Sequence, residues 1–413
     1  MNRIRVRIGT TPLLPISISL PASKSISHRV LIIQALCGEA FSISNLSDSD
    51  DTVLLRDALA HALSRDSFDM DNAGTPFRFL TAFFALTEGE RVLTGGERMM
   101  QRPIGPLVDA LNEMGAHITY LNHDGFPPIH IEGTPLDGGK ISIAADVSSQ
   151  FVSALLLIAP KLHKGIELHL QNSVASQPYI KMTLDVMRHF GIAASWQHDV
   201  IRIAPQAYQS KNITIESDWS AAAFWYEIVA LAPNAEVTLL GLHQDSLQGD
   251  AQVAEIFEKL GVETVYSEDS VHLKKSHAVV DFIEIDFRHI PDMFPVIVAT
   301  CAALRVKFRF KGIENLRIKE SDRVEAMMSA LGKMGYQFHY DEPHTLSFRD
   351  EILPTTDAPI ECDTHKDHRI AMALAPLCLC HQEITLSDAD SVKKSYPHFF
   401  QDLAQAGFFI ETI

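Results

Sequence analysis

A chain of 413 residues is too long for one ordinary core and points to about two domains. Hydrophobic residues at 46% and charged residues at 21% fit a soluble globular protein and argue against a disordered or fibrous one. A formal net charge of −17 argues against nucleic acid or an anionic membrane as partner, because both need a basic face.

The N-terminal run from Thr11 to Leu20 is short and broken by Pro12 and Pro15, so no signal peptide is expected. No apolar stretch reaches the ~18 residues a membrane span needs. From Ser25 the chain enters the first of several nearly all-apolar segments. Further copies begin at about Thr75, Ser149, Ser220, Asp292 and Asp367. A helix that is apolar all round is buried.

Amphipathic helices closing on glycine alternate with these segments. They read Leu111-x-x-Met114-Gly115, Met187-x-x-Phe190-Gly191, Phe257-x-x-Leu260-Gly261 and Leu331-x-x-Met334-Gly335, with a weaker copy at Leu403-x-x-x-Gly407. Glycine just past the last helical turn is the usual C-cap. Strand-like runs follow, among them Val200–Ala204, Glu236–Leu240 and Thr345–Phe348. The spacing predicts six units, the first shorter than the rest, in an α/β (α+β) chain of two domains with three units each. Solenoid repeats, at ~20–45 residues, are too short to match. A chain that crosses near Pro21 and again before Trp219 makes residues 1–20 plus 219–413 one domain and 21–218 the other.

The starts of the apolar helices carry the chemistry. They read Lys24-Ser25-Ile26-Ser27-His28-Arg29, Asn72-Ala73-Gly74-Thr75-Pro76-Phe77-Arg78, Ser148-Ser149-Gln150, Asp218-Trp219-Ser220, Pro291-Asp292 and Asp367-His368-Arg369. Ser, Asp and Asn there are ordinary N-caps. Capping does not account for Arg29, Arg78 and Arg369, each within the first turn or so of an apolar helix. Helix N-termini and guanidinium groups both suit phosphate and carboxylate. Three more basic motifs are Arg98 to Gly105, Asn315 to Arg323, and Lys393-Lys394-Ser395-Tyr396-Pro397. Taken alone, Asn315 to Arg323 also fits a solvated helix face. The pattern points to small anionic ligands held where helix starts converge between domains.

Cys37, Cys301, Cys362, Cys378 and Cys380 form no C-x-x-C pair and lie mostly in apolar runs. They read as reduced core thiols of a cytoplasmic protein.

In order along the chain, Pro21-Ala-Ser-Lys-Ser, Asn72-Ala-Gly-Thr, Arg98 through Gly105, Val147-Ser-Ser-Gln-Phe, Ser176-Gln-Pro-Tyr179, His289-Ile-Pro-Asp292, Lys319-Glu-Ser-Asp-Arg323, Asp367-His-Arg369 and Lys394-Ser-Tyr-Pro397 appear. Each is weak alone. Together they make the sequence similar, along essentially its whole length, to the 5-enolpyruvylshikimate-3-phosphate synthases.

The resemblance implies the two-domain enolpyruvyl transferase fold, six βαβαββ repeats with buried parallel helices, three per domain. It implies addition of a shikimate-3-phosphate hydroxyl to phosphoenolpyruvate and loss of phosphate from a tetrahedral intermediate. It implies Ser25, Arg29, Ser148, Ser149, Gln150, Ser176, Tyr179, Asp292, Asn315 and Lys319 for shikimate-3-phosphate. For phosphoenolpyruvate it implies Lys24, Gly74, Arg102, Gln150, Arg323, Arg369 and Lys394, and for proton transfer Asp292, Glu320 and Lys24. A monomer with small-molecule substrates, no metal and no other cofactor is expected, with glyphosate as an inhibitor. Ala22, Phe79, Gln177 and Ser217 depart from residues frequent in the family, and none removes a catalytic group.

Three other readings compete. The sister transferase acting on UDP-N-acetylglucosamine typically carries a reactive Cys in a mobile loop, and Leu86 to Gly105 has none. Cys362, His365 and His368, with Asp363 or Asp367, imitate a zinc cluster at a non-standard spacing. A non-catalytic repeat scaffold has no need of acid, base and Arg groups at one repeat position. P-loop and dinucleotide motifs are missing from the sequence.

Overall fold

The computed structural model describes residues 3–9, 15–146, 148–172, 174–341, 344–354 and 359–413. Val147 of the Val-Ser-Ser-Gln-Phe motif lies outside them, as do Thr11 and Pro12 of the N-terminal run.

The chain divides into two compact units. The first joins Met1–Pro21 to Glu216–Ile413, and the second is Ala22–Ile215. The apolar helices are Lys24–Cys37 (α1), Gly74–Leu86 (α2), Ser149–Ile158 (α3), Trp219–Leu231 (α4), Phe294–Ala303 (α5) and His368–Leu374 (α6). Helices α1 to α3 pack together in the second unit, and α4 to α6 in the first. Their side chains account for much of each unit's core. In α2, for example, Phe77, Phe79, Leu80 and Phe84 are all buried. Burial of such side chains stabilises by roughly 1.5–3 kcal/mol each.

The helix starts explain themselves locally. Ser23, Ser148, Asp218 and Asp367 each accept a backbone N–H of their own helix, as N-caps do. No side-chain cap of this kind precedes α2, and α5 is entered through one 3₁₀ turn, Pro291–Met293.

Amphipathic helices alternate with the apolar ones at Asp50–Ala60, Gly105–Glu113, Gln177–His189, Val253–Glu258, Arg323–Lys333 and Phe399–Gln405. Gly115, Gly191, Gly335 and Gly407 follow four of them at positive φ, as a C-cap requires. Gly261 differs. The helix ends at Glu258, and Gly261 with φ +86° sits inside the strand Leu260–Tyr266.

Among the described residues five sheets have four strands and share one plan. Ser67–Asp69 pairs parallel with Gly89–Thr94, which pairs antiparallel with Ile129–Gly133, and that with His117–Tyr120. In chain order this is βαβαββ. The sixth repeat borrows its last strand from the N-terminus, where Ile4–Ile8 lies between Glu383–Leu386 and Phe408–Thr412 and antiparallel to both. The shortened first repeat keeps two strands, Ile43–Ser44 parallel to Ile213–Thr214.

Of the five cysteines, Cys37, Cys301, Cys362 and Cys378 are buried and unpaired. Cys380 is exposed, against the expectation of core thiols, because it falls in the last turn before the strand Glu383–Leu386. Among the described residues no helix is long and apolar enough to cross a membrane.

Candidate active site

In the second unit the predicted residues gather at the beginnings of α1, α2 and α3. Lys24 is the first residue of α1, and its Nζ donates to Asp51 Oδ2 at 2.9 Å. Arg29, one turn on, is buried, and burial lowers its pKa to about 10 although Tyr179 opposes the shift. Its Nη1 donates to the Ser25 carbonyl at 2.7 Å and its Nε to Thr183 Oγ1 at 2.8 Å. Its Nη2 donates to Ser153 Oγ and the Tyr179 carbonyl at 3.2 and 3.1 Å. Four of the five N–H groups of this guanidinium therefore go to uncharged protein acceptors.

Gly74 opens α2 against Arg102. A Cβ on Gly74 would stand 2.5 Å from Arg102 Nη2, and Arg102 Nη1 donates to the Asn72 carbonyl at 3.2 Å. Arg78 fastens the loop that carries Arg102, donating to the carbonyls of Gly74 and Pro103 at 3.2 and 3.0 Å. Ser148 caps α3 through the Gln150 N–H, and Ser149 beside it is buried. Ser176 precedes the helix Gln177–His189 at φ +55°, a left-handed conformation that costs a non-glycine residue on the order of 1 kcal/mol. Such strain collects at ligand sites.

In the first unit the predicted residues form a charge cluster. Arg323, the first residue of its helix, has a side chain only 1% exposed. Its Nη1 donates to Asp292 Oδ1 at 2.8 Å, its Nη2 to Glu320 Oε2 at 2.9 Å and its Nε to Asp367 Oδ2 at 2.9 Å. Arg369 Nη2 reaches the other oxygen of Asp292 at 2.8 Å. Burial alone would raise the pKa of Asp292, yet Arg369, Arg323 and Lys319 outweigh it and hold the carboxyl well below its ordinary range. Arg323 is pushed up in turn: burial works against its charge, but Asp367, Glu320 and Asp292 prevail.

The segment Asn315 to Arg323 is not a solvated helix face. It is a 3₁₀ turn, Glu314–Ile318, then a bend to the cap Asp322, whose Oδ1 accepts the Glu325 N–H at 3.0 Å. The bend is what turns Glu320 and Arg323 toward Asp292. Lys394 ends the turn Ala389–Lys394, which packs on α6, the helix of Arg369. Tyr396 in the same motif is structural: it accepts from Trp225 Nε1 at 3.2 Å and donates to Asp402 Oδ2 at 2.7 Å. Among the described residues no three His, Cys, Asp or Glu side chains assemble as metal ligands, so Cys362, His365 and His368 do not form the imagined zinc cluster.

The family model for EPSP synthase (3-phosphoshikimate 1-carboxyvinyltransferase) matches residues 56–403. The chain belongs to the EPSP synthase family. A relative from Bacteroides fragilis, described as 3-phosphoshikimate 1-carboxyvinyltransferase, is 46% identical over 397 residues, 96% of each chain. One of the same description from Shewanella baltica is 35% identical over 415 aligned positions, covering 94% of this chain and 96% of its own. A solved EPSP synthase from Acinetobacter baumannii superposes with a TM-score of 0.79 at 22% identity, covering 100% of both chains. That last likeness speaks for the fold alone.

Within the EPSP synthase pattern the sequence reading overlooked the partners. Asp51 faces Lys24 from the next helix, and Asp367 joins Asp292 and Glu320 around Arg323. Asp51 had one visible signal, the acidic first turn of Asp50–Ala60 after a Ser-Asp-Ser run. Asp367 was visible as a cap and in the Asp367-His-Arg369 motif, but not as a partner of Arg323.

Proposed function

We propose that this chain is a transferase that moves the enolpyruvyl group of phosphoenolpyruvate to the 5-hydroxyl of shikimate-3-phosphate and releases phosphate. The observation that carries the reading, in a chain of this family, is Asp292. It is a carboxylate held ionised between two guanidiniums, with 21% of its side chain still exposed.

Asp292 takes the hydroxyl proton as the 5-oxygen bonds to C2 of phosphoenolpyruvate. C3 receives a proton in the same stage, and C2 becomes a tetrahedral ketal. Glu320 accepts from the Arg323 guanidinium. In this reading the C3 proton comes from the Lys24 ammonium, which Asp51 holds in place. In the second stage the C3 methyl gives a proton to Glu320, the C2–O bond to phosphate breaks, and the double bond returns. The guanidiniums of Arg102, Arg323 and Arg369, with Lys394, stabilise the carboxylate and the departing phosphate, the preorganised electrostatics such a step needs.

Lys24, Gly74, Gln150, Arg102, Arg323, Arg369 and Lys394 serve phosphoenolpyruvate. Ser25, Ser148, Ser149, Gln150, Ser176, Tyr179, Asp292, Asn315 and Lys319 serve shikimate-3-phosphate, with Arg29 mainly a buttress that keeps one N–H for it. The reading extends to a monomer acting on small molecules in the cytoplasm, in keeping with five unpaired cysteines.

The test is phosphate release from phosphoenolpyruvate with either acceptor. Release with shikimate-3-phosphate alone is expected. Release with UDP-N-acetylglucosamine alone would assign the sister reaction, and release with neither would remove the enzymatic reading.

A further inference from the structure

Lys24 and His28 lie one turn apart on the same face of α1. That face meets the first turn of the helix Asp50–Ala60, and two adjacent rungs join the helices. Lys24 Nζ donates to Asp51 Oδ2 at 2.9 Å, and His28 Nε2 is hydrogen-bonded to Thr52 Oγ1 at 3.1 Å. The proposed proton transfer uses the first rung only. Behind the second runs a line of hydroxyls. Thr52 Oγ1 is hydrogen-bonded to Ser49 Oγ at 2.9 Å, and Ser49 Oγ accepts from Ser47 Oγ at 3.1 Å. Ser47 in turn donates its N–H to Ser27 Oγ at 3.1 Å, back on α1 and one residue from His28. Ser27, His28, Ser47, Ser49 and Thr52 are all buried. Ser49 stands at the N-cap of its helix, yet its side chain makes no cap hydrogen bond. The hydroxyl that would ordinarily hold the helix start is engaged with Thr52 instead. Among the described residues Nδ1 of His28 has no partner, so Thr52 is the ring's one hydrogen-bond partner there. Burial first, then Lys24 and Arg29, hold the pKa of the imidazole well below its ordinary value, so the second rung is neutral.

We infer that His28 and Thr52 are positioning residues for Lys24: their hydrogen bond, with the hydroxyl line behind it, sets the first turn of the helix Asp50–Ala60 on α1 and so places the Asp51 carboxylate that aims the ammonium. The inference rests on the reading that Lys24 supplies the C3 proton. Thr52 follows Asp51 directly in the chain, so a shift of that first turn moves both residues. The lysine stem is long and flexible, and its ammonium goes where its ionic partner stands. A displacement of about 1 Å in a reacting group can cost about 10²-fold in rate. The neutral rung fixes the geometry of the charged one without adding a charge beside it.

The experiment measures kcat and the KM for each substrate in the full-length parent, Thr52→Val, Thr52→Ser, Asp51→Asn and the double variant of Asp51→Asn with Thr52→Val. Valine keeps the branched shape of threonine and removes the hydroxyl. Thr52→Val is expected to lower kcat by about tenfold and to leave the KM for shikimate-3-phosphate within about twofold of the parent's. Thr52→Ser, which restores the hydroxyl, is expected to recover most of the turnover. In the Asp51→Asn background Thr52→Val is expected to change kcat by less than about twofold, because it acts through a carboxylate already removed. An equal loss in both backgrounds would overturn the inference, as would a Thr52→Val kcat equal to the parent's or a Thr52→Ser kcat no better than that of Thr52→Val. Should Thr52→Val fail to fold, His28→Leu removes the same hydrogen bond from the α1 side, with His28→Gln as its rescue, and is held to the same outcomes. Lys24→Ala at saturating substrates separates the two levels. If it loses turnover while Thr52→Val matches the parent, only this inference falls; if it keeps turnover, the proton assignment falls and this inference with it.

Discussion

Arg323 Nη1 donates to Asp292 Oδ1 at 2.8 Å, from a guanidinium whose other nitrogens serve Glu320 and Asp367. One cation thus sets the position of three carboxylates drawn from three separate stretches of chain. Arg369 completes the grip on Asp292 from the opposite oxygen. The two guanidiniums hold Asp292 ionised before any substrate arrives.

Asp292→Asn keeps the shape of Asp292 and one of its two accepting oxygens, and removes its charge and its basicity. Turnover is expected to fall by roughly 10²–10⁴, the usual weight of a general base. Circular dichroism should remain that of the parent. Because the neighbouring cations depress its pKa, Asp292 stays ionised through the ordinary carboxylate range. Its stabilising contribution is therefore complete above about pH 4 and is lost only as pH falls below that value. A turnover–pH profile in which the acid limb of the parent persists unchanged in Asp292→Asn would agree. An acid limb that disappears in the variant would show Asp292 titrating in the normal range.

Arg323→Ala should cost stability as well as activity. It leaves Asp292, Glu320 and Asp367 close together without the charge that joins them. Breaking a buried pair from one side destabilises by about 3–5 kcal/mol, measurable by urea unfolding. Arg323→Lys restores the charge but not the planar fork, so it is expected to recover part of the stability and little of the turnover. Equal recovery of both would mean that charge alone matters here.

The periodic part of this fold was readable in advance, and the reason is physical. Apolar helices such as Phe294–Ala303 and glycine-capped helices such as Gln177–His189 announce themselves through local pattern. Partners across the chain do not. Arg29 and Arg78, read as anion ligands because each stood alone on an apolar helix, also donate within the protein, Arg29 to hydroxyls and carbonyls and Arg78 to carbonyls and the Met99 sulfur. For Arg29 the acceptors include Ser153 and Thr183, more than a hundred residues away in sequence. For Asp51 and Asp367 the sequence showed an acidic turn and a helix cap but not the cation each one faces, because an aspartate in a turn or at a cap looks the same whether or not a cation faces it. Gly261 shows the limit of the repeat itself: a β-strand begins where the other copies end a helix.

Gly74→Ala tests the closeness of α2 to Arg102. The added methyl meets the far end of a long side chain, at 2.5 Å from Nη2 and 2.8 Å from Cζ. Arg102 can yield by rotating, so the fold should hold, with stability changed by less than about 1 kcal/mol. Its guanidinium then leaves the position set by the Asn72 carbonyl. The KM for phosphoenolpyruvate is expected to rise by about tenfold or more, with that for shikimate-3-phosphate changed little. A proportionate rise in both would place Arg102 in general packing.

Glu227 supplies a prediction about stability alone. It lies in α4 among Trp225, Tyr226 and Ile228, is fully buried, and neither carboxylate oxygen has a hydrogen-bond partner among the described residues. Burial pushes its pKa well above the ordinary value, so the folded protein keeps it protonated where the unfolded chain does not. For an acid with a raised pKa the sign is unfavourable as pH increases. Above about pH 4.3 the unfolded state sheds this proton and the folded state retains it, so stability declines by up to ~1.4 kcal/mol per pH unit until the folded group also ionises. Glu227→Met, of similar length and free of charge, removes the penalty. It is expected to unfold at higher denaturant concentration than the parent at pH 7 by about 1–3 kcal/mol. That gap should shrink steadily toward pH 4. Urea unfolding of both proteins across this range decides the matter: a gap independent of pH would mean that the gain is packing, and a loss of stability in the methionine variant would mean that Glu227 has an ionic partner worth more than its burial costs.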